Sequence, residues 1–111
     1  MTYNSWDVVT VPFPFTDKTA AKKRPALVLS KSEHQCKTGH LILLMITSAN
    51  NSSWHSDIQI TDLNAVGLKN TSVIRFKIFS LDERLIIKKI GNLSDLDKQK
   101  VKEKLLETID I

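Results

Sequence analysis

Up to residue 94 the apolar residues come in short runs separated by polar segments, and only the last stretch has a helical period. This order limits the fold more than any other feature. With no helical segment between the early strands, a parallel βαβ arrangement is disfavoured. Strands first and helix last point to a compact antiparallel sheet or small barrel with the helix packed against it. In WDVVTVPFPF, Val9, Val11, Phe13 and Phe15 alternate with Val8, Thr10, Pro12 and Pro14. That is strand periodicity, and the prolines force an edge or the end of regular pairing. PALVLS reads as a short buried strand with Pro25 tolerated at its first position, and HLILLMIT as a strongly apolar strand. DIQI, TSVIRFKIFSL and LIIKKIG complete the set. In TSVIRFKIFSL one face carries Ile74, Phe76 and Ile78, and the other Val73, Arg75, Lys77 and Phe79. The expected fold class is therefore mostly β and barrel-like, with five to seven antiparallel strands and a C-terminal α-helix.

The intervening segments TDKTAAKKR, KSEHQCKTG and SANNSSWHS read as polar loops, and TDLNAVGLKN as a turn region. LSDLDKQKVKEKLLETI is helical, with Ser94 as N-cap and Asp97 placed for a capping box. Val101, Leu105 and Ile109 form a stripe that would dock on the sheet. Lys98, Lys100, Lys102 and Lys104 then form a solvated face.

A chain of 111 residues without repeats or linkers is expected to be one domain, residues 1–111. No run of about 18 apolar residues is present, so no membrane helix is expected. The N-terminus MTYNSWDVV lacks the basic and apolar regions of a signal peptide. Cys36 alone cannot form an internal disulfide, which fits a reducing, cytoplasmic setting. The net charge of +4 suits either a polyanionic partner such as nucleic acid or plain solubility.

The stretch KKRPALVLSKSE crowds Lys22, Lys23 and Arg24 against the start of a buried strand. Other polar residues sit at similar places: Thr47 and Ser48 close HLILLMITS, while Arg75 and Lys77 lie inside a later strand. If these strands are neighbours, two arginines, a lysine and two hydroxyls would converge into a phosphate site. Trp54 and His55 in an adjacent loop offer flat side chains for stacking on a base. Each residue also has a plainer reading. Arg24 suits a surface ion pair, Thr47 and Ser48 suit a turn, and Arg75 and Lys77 suit the wet side of a half-buried sheet. Trp54 suits a core cap or a dimer interface.

His34, Cys36 and His40 lack a fourth ligand and match no usual zinc spacing, so no metal site is assigned. Cys36 with a histidine makes a weak nucleophile pair. With three glycines in all, P-loop, dinucleotide-binding and nucleophile-elbow motifs are absent.

Taken in order, WDVVTVPFPFTD, KRPALVLS, the strand ending in IT, SVIRFKIFSLD and IGNLSDLDKQKVKEKL resemble the PemK/MazF family of type II toxin–antitoxin toxins. The resemblance runs from about Trp6 to Leu106 and rests on the order and spacing of several blocks. The family usually has Gly before the Asp-Val of the first strand, where this chain has Trp6. The resemblance implies an SH3-like barrel with a C-terminal helix, working as a cytoplasmic homodimer. It implies a toxin that cuts single-stranded RNA, often mRNA, sequence-specifically, without a metal or other cofactor and leaving a 2′,3′-cyclic phosphate. It also implies restraint by a cognate antitoxin whose acidic C-terminal segment covers the RNA groove. By the same resemblance the catalytic positions are Arg24, Thr47 and Arg75. Lys22, Lys23, Ser48, Trp54, His55 and Lys77 remain RNA-binding candidates. One branch of the family has an aspartate as base two residues after the arginine; here that position is Lys77, which cannot take the role while protonated. That departure keeps open a non-catalytic nucleic-acid-binding SH3-like barrel, and a purely structural interaction domain is a third reading.

Overall fold

The computed structural model describes residues 1–13, 22–50 and 53–111. Its strands are β1 (Asp7–Phe13), β2 (Lys22–Val28), β3 (His40–Ser48), β4 (Ile58–Gln59), β5 (Ser72–Asp82) and β6 (Lys88–Asn92). A short helix α1 (Ser32–Thr38) lies between β2 and β3, a 3-10 turn (Glu83–Leu85) precedes β6, and helix α2 (Asp95–Thr108) ends the chain. The six strands form one antiparallel sheet in the order β4-β5-β3-β2-β1-β6, curled into a half-barrel. The segment after β4 reaches across to the far edge, where Asn92 N–H donates to the Ala65 carbonyl at 3.0 Å.

Strand alternation puts apolar residues on both faces of the sheet. Val8, Leu27, Leu44, Ile46, Ile58 and Ile74 face one core, closed by Val66, Leu93 and by Val101 of α2. Val9, Val11, Ala26, Val28, Leu41 and Leu43 face a second, closed by Tyr3, Leu81 and Ile86. Burying an aliphatic side chain fully contributes about 1.5–3 kcal/mol, so losing either face would remove much of the fold.

Several details differ from the sequence expectation. KSEHQCKTG is not a loop: Ser32–Thr38 is helical. Gly39, at φ 71°, ends it in the left-handed region, with its N–H on the Gln35 carbonyl at 2.7 Å. The buried Gln35 side chain accepts from Tyr3 N–H at 2.9 Å and donates to the Met1 carbonyl at 2.8 Å and Glu83 Oε1 at 3.1 Å. Long-range bonds of this kind, invisible to local pattern, hold so short a helix in place. Lys22 and Lys23 are not loop residues either. They extend β2, opposite Phe13 and Pro12. Pro25 is therefore inside the strand rather than first in it, but β3 pairs with β2 only from Ala26 onward. Up to that point the strand has a single neighbour among the described residues, the edge-like setting a proline tolerates.

In β5, Ile74 is buried as expected, but Ile78 is 44% exposed. A bulge lies just before it: Met45 opposes Arg75 while Leu44 opposes Ile78, leaving two extra residues on β5. The Ser94 cap forms, its Oγ accepting from Asp97 N–H at 3.3 Å. Asp97 does not complete a capping box; its carboxylate turns to Thr61 and Asp62 instead. Val101 and Leu105 dock on the first core, whereas Ile109 stands past the end of α2 and is exposed. Pro14, Phe15 and residues 16–21 of the first loop lie outside the described residues, as do Asn51 and Ser52 of the third.

Candidate functional site

Register decides which polar side chains meet. Val11 opposes Arg24, Ala26 opposes Met45, and Thr47 opposes Val73. Two residues along from the Ala26–Met45 pair, alternation sets Arg24 and Thr47 on one face of the sheet. They line a cleft of about 210 Å³ with Pro25, Ile46, Ser48, Leu68, Lys69, Asn70 and Ser72. The Arg24 guanidinium lies over the Phe13 ring, 4.8 Å from its centroid. Among the described residues its Nε is buried with no hydrogen-bond partner, and Arg24 makes no ion pair. Such a donor is expensive to leave unsatisfied unless a ligand supplies the acceptor. Thr47 is buried, and the exposed Ser48 accepts at its Oγ from Asn50 N–H at 3.3 Å.

A second cluster lies beside the first. Arg75 opposes Met45, two positions from Val73 on the same strand, so about 7 Å further along the same face. Its Nε donates to Asp57 Oδ1 at 3.1 Å and its Nη2 to Oδ2 at 2.9 Å. Oδ2 also accepts from Trp54 N–H at 2.9 Å. The Arg75 guanidinium holds the Asp57 carboxyl below its ordinary range, and Asp57 in turn raises Arg75. Trp54 is 42% exposed. The Arg75 guanidinium lies 5.3 Å from its ring centroid and Lys77 Nζ lies 5.4 Å from it.

The structure thus gathers Arg24, Thr47 and Ser48 in one cleft, and Arg75, Trp54 and Lys77 around one ring. His55 is exposed and lines neither. Lys22 shares the face of Arg24, two residues on, whereas alternation turns Lys23 to the opposite face. Sequence reading missed Lys69, Asn70 and Ser72 in the cleft wall, and Asp57. The first two belong to a segment that reads only as a turn. Its path depends on Gly67, at φ 71°, where an added Cβ would collide with the Ile90 backbone. Asp57 carried no signal, because its partner lies 18 residues away.

His34 and Cys36 lie on α1 and His40 starts β3. Among the described residues no group of three His, Cys, Asp or Glu side chains is placed to hold a metal ion. Among the same residues no helix is long and apolar enough to cross a membrane.

Solved structures share this fold. MazE-MazF from Deinococcus radiodurans (Form-II) superposes with a TM-score of 0.76 at 19% identity, covering 100% of this chain and 98% of that one. Mycobacterium tuberculosis toxin MazF-mt6 gives 0.74 at 16% identity, with 95% and 97% covered. An endoribonuclease in complex with its cognate antitoxin, from a mycobacterial species, gives 0.73 at 11% identity, with 95% and 92% covered. Among curated proteins none is significantly similar in sequence. Identities this low establish the fold alone, but residues 4–109 also match the family model described as PemK-like, MazF-like toxin of type II toxin-antitoxin system. Because that match spans nearly the whole chain, the protein belongs to the PemK/MazF toxin family.

Proposed function

We propose that this toxin is a sequence-specific endoribonuclease that cleaves single-stranded RNA, mRNA included, without a metal ion. The observation that carries this reading is the buried Arg24 Nε, unpartnered among the described residues, in a cleft walled by Thr47, Ser48 and Lys69. The RNA's own 2′-hydroxyl attacks the adjacent phosphorus. The new 2′-O–P bond forms as the P–O5′ bond breaks, the 2′ proton leaves and the 5′ oxygen gains one. Extra negative charge develops on the phosphate oxygens, and a guanidinium already fixed on Phe13 stabilises it without reorganising. Thr47 hydrogen-bonds a non-bridging oxygen. Arg75 acts on the same face, and Trp54 stacks on a flanking base. Lys22, Lys69 and Lys77 gather the backbone.

The protein works as a cytoplasmic homodimer, as the family resemblance implies. An acidic, extended antitoxin segment restrains it, since a face that takes phosphates also takes Asp and Glu side chains. A second reading, a barrel that binds RNA without cutting it, is favoured by Lys77 standing where the resemblance has an aspartate base.

Incubation of a long single-stranded RNA with the protein in EDTA tests both. The expected products carry a 2′,3′-cyclic phosphate and a 5′-hydroxyl. Arg24→Ala slows single-turnover cleavage about 10²-fold, the scale of one lost oxyanion-type donor. Binding without cleavage selects the second reading, and cleavage abolished by EDTA but restored by Mg²⁺ overturns the metal-free mechanism.

A further inference from the structure

We propose that Asp57 is a positioning residue for the substrate: it fastens Arg75 and Trp54 into one fixed platform that takes a nucleobase and the phosphate beside it. This rests on the RNA-cleaving function proposed above.

A carboxylate on a face built for phosphates repels the ligand unless it serves another purpose. Asp57 is mostly buried, its side chain 11% exposed, and it meets Arg75 through two parallel N–H···O bonds. That fork fixes the guanidinium plane as well as its position, which a single contact would not. The same carboxylate takes the Trp54 main-chain N–H. One residue therefore sets both the cation and the main chain of the residue that carries the indole. Ile58, next in the chain, pairs with Ile74, next to Arg75, so the clamp is seated on paired strands.

The indole itself is exposed and flat, and two cations share its ring. With the buried Arg75 guanidinium and the exposed Lys77 ammonium over its ring, the exposed indole leaves its open surface to stack a base and Lys77 to hold the backbone. Two like charges on one ring repel each other, and the Asp57 charge offsets Arg75. The platform lies beside the Arg24–Thr47 cleft, about two residues along β5. That is the separation at which one nucleotide stacks while its neighbouring phosphate enters the cleft.

The experiment compares wild type, Asp57→Asn, Trp54→Ala and the double variant on one long single-stranded RNA transcript, with kcat and KM measured separately. Asp57→Asn and Trp54→Ala should each raise KM about 10-fold, the loss expected for one stacked base, while kcat changes little. The double variant should be no worse than either single one, because both remove the same platform. In a Trp6→Phe background, where Trp54 is the sole tryptophan, Asp57→Asn should make its fluorescence more quenchable by acrylamide. If Asp57→Asn fails to fold, Asp57→Glu, which keeps the charge but moves the carboxylate off the fork, carries the same expectation. A lower KM in Asp57→Asn would mean that Asp57 competes with phosphate for Arg75, and would overturn the proposal. Additive effects of the two single changes, or none, would do so too. RNA binding that survives Asp57→Asn intact removes the platform alone. Failure of the wild type to bind RNA removes both the platform and the proposed function.

Discussion

Trp6 is the one non-glycine residue with positive φ among the described residues, at 76°. A side chain in this region costs roughly 1–2 kcal/mol, a cost glycine avoids. That gives a physical reason for the glycine which the family resemblance leads one to expect at this position. The chain keeps Trp6 there by other means. Its N–H donates to the Val28 carbonyl at 2.7 Å and its carbonyl accepts from Leu93 N–H at 2.9 Å. The indole packs on the first core and lies 5.8 Å from Lys102 Nζ. Both Trp6→Ala and Trp6→Gly lose that packing, but only alanine keeps the backbone cost. Trp6→Gly should therefore be the more stable of the two by about 1 kcal/mol in urea unfolding. Asp57 makes a pH prediction. Its native carboxyl is lowered, chiefly by Arg75, so its stabilising contribution is complete above the ordinary carboxylate range and lost as pH falls through the lowered native value. The stability gap between wild type and Asp57→Asn should stay level from pH 8 to about 5 and shrink below about pH 4. A gap that instead grows on acidification would contradict the ion pair.

At the scale of elements, one buried acid ties α2 to the segment that follows β4. Asp97 is fully buried and accepts from Thr61 N–H at 2.9 Å, from Thr61 Oγ1 at 2.8 Å and from Asp62 N–H at 3.4 Å. It thus fixes the segment that follows β4, and this segment carries Lys69 and Asn70 into the Arg24 cleft. Asp97→Ala strands those donors and should cost about 2 kcal/mol, within the usual 1–3 for a buried unpaired group. Thermal unfolding measures the loss, and amide exchange at residues 61–70 should quicken. Asp97→Asn, which retains an acceptor oxygen, should lose less. The same element shows how far pattern reading reached. The helical period and the Ser94 cap were visible locally, but the partner of Asp97 lies 36 residues away.

For the whole molecule, a net charge of +4 is modest, so where the cations point matters more than how many there are. Strand alternation sets Lys22 on the face of Arg24 and Lys23 on the other. Each phosphate contact to single-stranded RNA contributes about 0.7 to the slope of log affinity against log salt. Lys22→Ala should reduce that slope by about 0.7, and Lys23→Ala should leave it nearly unchanged. Affinities measured at several salt concentrations check this, and equal effects from the two lysines would contradict the shared-face placement.

Most strand positions, the C-terminal helix and the mostly β class were legible in the sequence, because they follow from alternation and capping within a few residues, whereas α1 between β2 and β3 was not. Also legible were the blocks that carry the family resemblance. Tertiary structure alone decided the rest. Whether Arg24 meets Thr47 depends on register between β2 and β3, and a one-residue slip would send each side chain to the other face. The bulge before Ile78, the helix held by Gln35 and the Asp57 clamp on Arg75 all rest on contacts between residues far apart in the chain. Local composition sets what each segment prefers, but only the assembled sheet decides which preferences are brought within bonding distance.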